Sequence, residues 1–194
     1  MKTFKQLVGA SVAGISLVFS PLLANEYSTK GFYLTGGIGA SKINDIDILG
    51  TTSKITFEDG LGLDLGLGYD FGKTRIEGTW MRGQSSEINV AGTLGTDDTN
   101  IDSLALSVYY DFRETKKWSP FVGVSLASTK VEINSVDDTG VSYGLALGVS
   151  YKTSDTSEVF IKSHGLVIPE LDFGNIAVEN GNYGIGTVGV RYRF

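Results

Sequence analysis

His164 is the sole histidine of this 194-residue chain. Ser163 precedes it and Glu170 follows, so a hydroxyl, an imidazole and a carboxylate stand close in sequence. That trio is the raw material of acyl transfer, in which a base activates a hydroxyl and an acid orients the base. Acidic pairs at Asp45/Asp47, Glu58-Asp59, Asp97-Asp98 and Asp137-Asp138 offer oxygen ligands for Ca²⁺ or Mg²⁺. None has the Asp-x-Asp-x-Asp-Gly spacing of a calcium loop, so they read as solvated loop charge. Gly36-Gly37-Ile38-Gly39 precedes no helical pattern and is not a nucleotide loop. The chain has no cysteine, which excludes disulfides, thiolate zinc sites and thiol nucleophiles.

The elements that would position these residues begin after an export segment. Lys2 and Lys5 give a basic start, Leu7 to Phe19 an apolar run, and Pro21-Leu22-Leu23-Ala24 a small-residue exit. This is the pattern of a signal peptide, with cleavage expected after Ala24 and a mature domain over 25–194. The apolar run is shorter than the roughly 20 residues of a spanning helix. Losing Lys2 and Lys5 takes the net charge from −6 to −8. A domain this acidic is a poor ligand for nucleic acid, whose phosphates need clustered Lys and Arg.

The mature chain has a period of two. From Gly60 to Phe71 the odd positions are Leu61, Leu63, Leu65, Leu67, Tyr69 and Phe71. The even positions are Gly60, Gly62, Asp64, Gly66, Gly68 and Asp70. Strands send successive side chains to opposite faces, so one face is apolar and the other small or polar. The pattern returns over 101–112 (Leu104, Leu106, Val108, Tyr110, Phe112), over 141–152 (Val141 to Tyr151) and over 183–194 (Val188, Val190, Tyr192, Phe194). Weaker versions lie at 31–41, 74–83, 120–129 and 157–164. Eight strands of about 9–12 residues are therefore expected, long enough to cross a bilayer when tilted. Long polar connections near 42–59, 84–100, 130–140 and 165–182 alternate with short ones near 72–73, 113–119 and 153–156. That is the plan of an all-β, eight-stranded antiparallel up-and-down transmembrane barrel.

Alternation alone does not say which face points out. A soluble lipocalin-like barrel would be greasy inside and wet outside, the reverse of a membrane barrel. Here the polar face is mostly Gly, Ala, Ser and Thr, without the Lys and Glu of a water-facing surface. Aromatics gather at the short-turn ends: Phe32, Tyr69, Phe71, Tyr110, Phe112, Trp118, Tyr151, Tyr192 and Phe194. Rings of this kind favour the lipid–water boundary, so the apolar face is expected to meet lipid.

The chain resembles the small outer-membrane β-barrel family that includes the opacity proteins and the membrane domain of outer membrane protein A. The carrying segments are Gly31-Phe-Tyr-Leu-Thr-Gly-Gly-Ile-Gly-Ala40, Ser119-Pro-Phe-Val-Gly-Val124 and Val188-Gly-Val-Arg-Tyr-Arg-Phe194. The resemblance covers essentially all of 30–194 and implies residence in the cell outer membrane. It implies that Tyr192 and Phe194 form the C-terminal insertion signal read by the outer-membrane insertion machinery, with periplasmic chaperones as further partners. It also implies contact with outer-membrane lipid and lipopolysaccharide. A second likeness, to lipid A deacylases, is poor: their His-x-Ser spacing requires serine where Leu166 stands.

By parity, Asp64, Asp70, Arg75, Glu77, Glu158, Lys162, Arg191 and Arg193 face the interior. Isolated charges in a narrow, partly dry lumen are costly, so they are expected to pair. Strand adjacency suggests Glu158 and Lys162 with Arg191 and Arg193, and Asp70 with Arg75 across a tight turn. The network is expected to be structural, since eight strands leave room for side chains but not for a wide channel. No catalytic residue, cofactor or metal is assigned. The expected function is a non-enzymatic envelope protein presenting surface loops for adhesion or interaction. A narrow solute or ion channel and a lipid A-modifying hydrolase are the alternatives.

Overall fold

The computed structural model describes residues 30–43, 46–47, 54–57, 59–85, 88–90, 93–95, 99–113, 117–133, 136–172 and 177–194. The export segment 1–24 lies outside the described residues, as do Asp45, Glu58, Asp97 and Asp98. The strands are β1 (Gly31–Ile43), β2 (Ile46–Asp47), β3 (Lys54–Phe57), β4 (Gly60–Asp70), β5 (Thr74–Ser85) and β6 (Ile88–Val90). They continue as β7 (Thr93–Gly95), β8 (Thr99–Asp111), β9 (Trp118–Ile133), β10 (Val136–Lys152), β11 (Ser157–Asp172) and β12 (Ala177–Arg193). Eight of them close a barrel in the order β1-β12-β11-β10-β9-β8-β5-β4, every pairing antiparallel.

The orientation follows the alternation. Leu104 and Leu106 are 65% and 61% exposed, whereas Ala105 and Ser107 between them are 2% and 0% exposed. The same outward row holds Leu65, Leu67, Val124, Leu126, Leu145, Leu147, Val188 and Val190. Aliphatic side chains standing on the outer wall of a closed barrel suit hydrocarbon rather than water. At the short-turn end the outward aromatics stack in pairs: Phe32 with Tyr69 at 5.0 Å between ring centroids, Tyr110 with Phe112 at 5.1 Å, Trp118 with Tyr151 at 4.7 Å and Tyr192 with Phe194 at 5.5 Å.

The turns at that end are tight. Phe71 N–H donates to the Thr74 carbonyl at 2.9 Å, and Gly72 takes a φ of 115°, a conformation a side chain would oppose. Asp70 Oδ1 accepts from Gly72 N–H at 2.8 Å. In the turn after β10, Lys152 donates to Asp155 at 2.7 Å, and this bond holds the Asp155 carboxyl below its ordinary range.

At the other end the strands run further than the hydropathy pattern suggests. The barrel strands are 11 to 17 residues long. The connections expected at 130–140 and 165–182 are largely ladder: β9 and β10 pair out to Ile133↔Val136, and β11 and β12 out to Asp172↔Ala177. Over 130–133 and 165–168 the apolar residues lie on the lumen side, where Val131, Leu166 and Ile168 are buried, so the outward apolar row ends while backbone pairing continues. The connections 42–59 and 84–100 contribute β2, β3, β6 and β7, which form a second, four-stranded sheet.

The lumen is filled by a specific device. Tyr33 lies opposite Gly68, Tyr109 opposite Gly123, Phe121 opposite Gly148 and Phe160 opposite Gly189. A Cβ on any of these glycines would run into the ring it faces. Each ring thus lies flat over a neighbouring strand's bare backbone, which lets four large side chains enter a narrow cylinder.

Replacing Leu106 with Arg puts a charge on the lipid wall and is expected to destabilise the barrel by about 2–4 kcal/mol in urea titrations of vesicle-inserted protein. The same substitution at the water-exposed tip of a long connection is expected to be near neutral.

Candidate functional site

The lumen is layered. Nearest the short turns is an ionic layer built from parity-matched positions on six strands and one turn. Arg75 donates from Nε to Asp111 Oδ2 at 2.7 Å and from Nη1 to the Tyr33 hydroxyl at 3.3 Å. Its guanidinium lies 4.5 Å from the centroid of the Tyr109 ring and 5.0 Å from that of Phe121. Glu158 bridges two cations, accepting from Arg191 Nη1 and from Arg193 Nη1, both at 2.5 Å. Arg193 Nη2 reaches on to Asp70 at 2.9 Å, and Arg113 closes the ring from the turn, donating to Asp70 and to Asp111. Above this, Lys162 Nζ lies 3.5 Å from Asp64 and 3.8 Å from Glu77. Thr187 donates to Asp64 at 2.5 Å and Thr79 to Glu77 at 2.8 Å.

The bookkeeping of charge is even. Asp64, Asp70, Glu77, Asp111 and Glu158 face Arg75, Arg113, Lys162, Arg191 and Arg193, five against five. A neutral cluster avoids a net charge in low dielectric, where an unmatched ion costs several kcal/mol. Aromatic faces cover the guanidiniums where carboxylates do not, as Tyr33 does for Arg191 at 5.2 Å.

A hydroxyl layer follows. Ser125 Oγ and His164 Nε2 are 2.6 Å apart, and Ser103, Thr129 and Ser142 form a chain with steps of 2.9 and 2.6 Å. Apolar side chains interleave with these hydroxyls and continue beyond them toward the long-loop end: Met81, Ile101, Ala105, Ala127, Val131, Leu166, Ile168, Tyr183 and Ile185 pack as one cluster.

Several sequence expectations change partners here. Asp70 and Arg75 are opposed in the ladder, yet their side chains part, Asp70 to Arg193 and Arg113, Arg75 to Asp111 and Glu77. Lys162 turns across the lumen to Asp64 and Glu77, because shear brings those strands' carboxylates closer than its neighbour's. Glu158 meets Arg191 and Arg193, its neighbours on β12. Asp111 and Arg113 join the network beyond the eight residues expected there, and their odd numbering, shared with inward Tyr109, is the signal that marks them.

His164 sits mid-way along β11 rather than at its outer end, fully buried. Its hydroxyl partner is Ser125 of β9, not the adjacent Ser163. Nδ1 of His164 has no hydrogen-bond partner, so no carboxylate orients the ring as a catalytic triad requires. Of the acidic pairs, Asp137 is bound to Lys130 at 3.2 Å, and Asp138 accepts from Thr139 N–H at 2.8 Å. Among the described residues no group of three or more His, Asp or Glu is placed to hold a metal ion.

A closed eight-stranded barrel with an aliphatic outer wall, an aromatic girdle and an ion-paired filling defines a small transmembrane β-barrel. The chain belongs to the family described as Outer membrane protein beta-barrel domain, which matches residues 10–194. It is 28% identical over 137 residues to Protein opa of Haemophilus influenzae, spanning 66% of this chain and all of that protein. Its fold is similar to Neisserial surface protein A (TM-score 0.66, 20% identity, 84% of this chain and 97% of that one). It is likewise similar to the outer membrane protein OprG of Pseudomonas aeruginosa (TM-score 0.59, 16% identity, 84% and 96%).

Replacing Glu158 with Gln strips the counter-charge from Arg191 and half of that from Arg193. The barrel is expected to lose about 3–5 kcal/mol, read as a lower urea midpoint of the vesicle-inserted protein.

Proposed function

We propose that this chain is an integral outer-membrane protein that acts through the surface loops its barrel presents, without catalysis of its own. The observation that carries this reading is the stacked filling of the lumen. Among Thr35, Arg75, Glu77, Lys162 and Arg191 no gap is wide enough for a water-sized sphere, and the apolar cluster lies across the path beyond. A cylinder filled at two levels supports a reading in which the wall and the long connections act.

Those connections carry a charge message. Positions 42–59, 84–100, 130–140 and 165–182 hold thirteen acidic residues against three basic ones, a net of −10. Such a face favours cationic partners and repels polyanions. Loops on a rigid scaffold are where binding residues usually sit. Export through a signal peptide ending at Ala24, and reading of Tyr192 and Phe194 by the insertion machinery, complete the proposal. Both aromatics stand on the outer wall at the open strand end, where a receptor can reach them.

Reconstitution into planar bilayers tests it. The chain is expected to give no stepwise conductance at neutral pH. Unit steps whose size changes on Glu158→Gln would make it a narrow channel instead. Turnover of lipid A that is abolished by His164→Ala would make it a hydrolase.

A further inference from the structure

One feature of the outer wall is unlike the rest of it. On the lipid-facing side of β4 and β5, Leu61, Leu63, Trp80, Arg82 and Gln84 line a groove of about 350 Å³. That is within the usual size of small-molecule clefts, roughly 300–1,000 Å³. Leu63 and Trp80 form its lower part with Arg82 beside Leu63, and Leu61 and Gln84 lie one outward step above the guanidinium. Leu63 is opposite Arg82 in the ladder and Leu65 opposite Trp80, so the change from apolar to charged occurs in one outward step along β5.

Arg82 stands at the upper edge of the apolar band. Arg82, Asp102 and Lys130 are consecutive cross-strand partners on β5, β8 and β9, all outward. Immediately below them on the same rows are Trp80, Leu104 and Ser128 with Leu126, where the aliphatic wall begins. This is the height at which a bilayer places its phosphates. Asp102 answers Arg82 weakly, at 4.0 Å, and Lys130 turns to Glu132 and Asp137 at 3.8 and 3.2 Å. Nε of Arg82 is shielded from solvent and donates to nothing. A guanidinium with spare donors above an apolar groove matches an anionic amphiphile whose head accepts hydrogen bonds and whose tail is a chain.

We propose that this groove seats one lipid with a net anionic phosphate head from the leaflet around the long-loop end, in preference to a zwitterionic one. The phosphate oxygens accept from Arg82, and an acyl chain lies along Leu63 and Trp80 below it. The acidic loops above the site cannot serve this purpose, and the occupant is a membrane lipid rather than a soluble anion because the apolar part of the groove opens to the lipid side.

The chain's two tryptophans make the test direct. Trp118→Phe leaves Trp80 as the single emitter. This variant is placed in phosphatidylcholine nanodiscs doped with brominated-acyl phosphatidic acid or, in parallel, brominated-acyl phosphatidylcholine. Phosphatidic acid is expected to quench Trp80 at about threefold lower mole fraction, the strength of one interfacial ion pair. Arg82→Gln abolishes that preference, and Asp102→Asn, which removes the competing carboxylate, increases it. Unboiled gel mobility checks that each variant is folded. Equal quenching by the two lipids overturns the proposal, as does a preference that survives Arg82→Gln or falls with Asp102→Asn.

Discussion

In hydrocarbon an unpaired backbone N–H or C=O costs several kcal/mol, because no water is there to satisfy it. A sheet can enter that solvent only if its first and last strands meet. The pairing of β1 with β12, from Tyr33↔Arg193 to Ile43↔Tyr183, is therefore the condition on which the rest of the molecule stands. Glycines make the seam close: Gly36, Gly37 and Gly39 of β1 lie against Val190, Gly189 and Thr187. A Cβ on Gly39 would collide with the backbone carbonyl of Gly186, next to its partner Thr187 on β12.

Closure with eight strands fixes a narrow lumen, and narrowness decides what can fill it. Four aromatic rings enter because four glycines face them. Charges enter because they enter in equal numbers, with rings shielding the guanidiniums of Arg75 and Arg191. The plug is interlocked: Asp70, Arg75, Glu77, Asp111, Glu158, Lys162 and Arg193 each hold at least two ionic partners, so displacing one strands others. That filling is what the proposed function rests on when it assigns action to the acidic connections and the wall.

Much of this was legible because strand parity is a strict code. A residue's odd or even place decided whether it met lipid or lumen, and Leu104, Ala105, Leu106 and Ser107 obey it without exception. Choice of partner was not legible. It depends on how far the strands are sheared around the cylinder, which brings Lys162 of β11 to Asp64 of β4 and parts Asp70 from Arg75. Strand ends were not legible for a different reason: beyond residue 130 the apolar row passes from the outer face to the lumen, as buried Val131 shows, while the pairing of β9 with β10 runs on to Ile133↔Val136. Ser125 and His164 come from strands 39 residues apart, and no local spacing announces such a pair.

The claim that everything else presupposes is that the aliphatic rows touch lipid. The chain has no cysteine, so single cysteines can be placed and spin-labelled without background. Labels at Asn100, Leu104, Leu106 and Val108 of the bilayer-inserted protein should divide cleanly. Positions 104, 106 and 108 should collide freely with oxygen and hardly with a water-soluble nickel chelate, and position 100 the reverse. Labels at 104, 106 and 108 that are shielded from both reagents, or reached by nickel, would mean that the leucines face a core or water and would contradict the account.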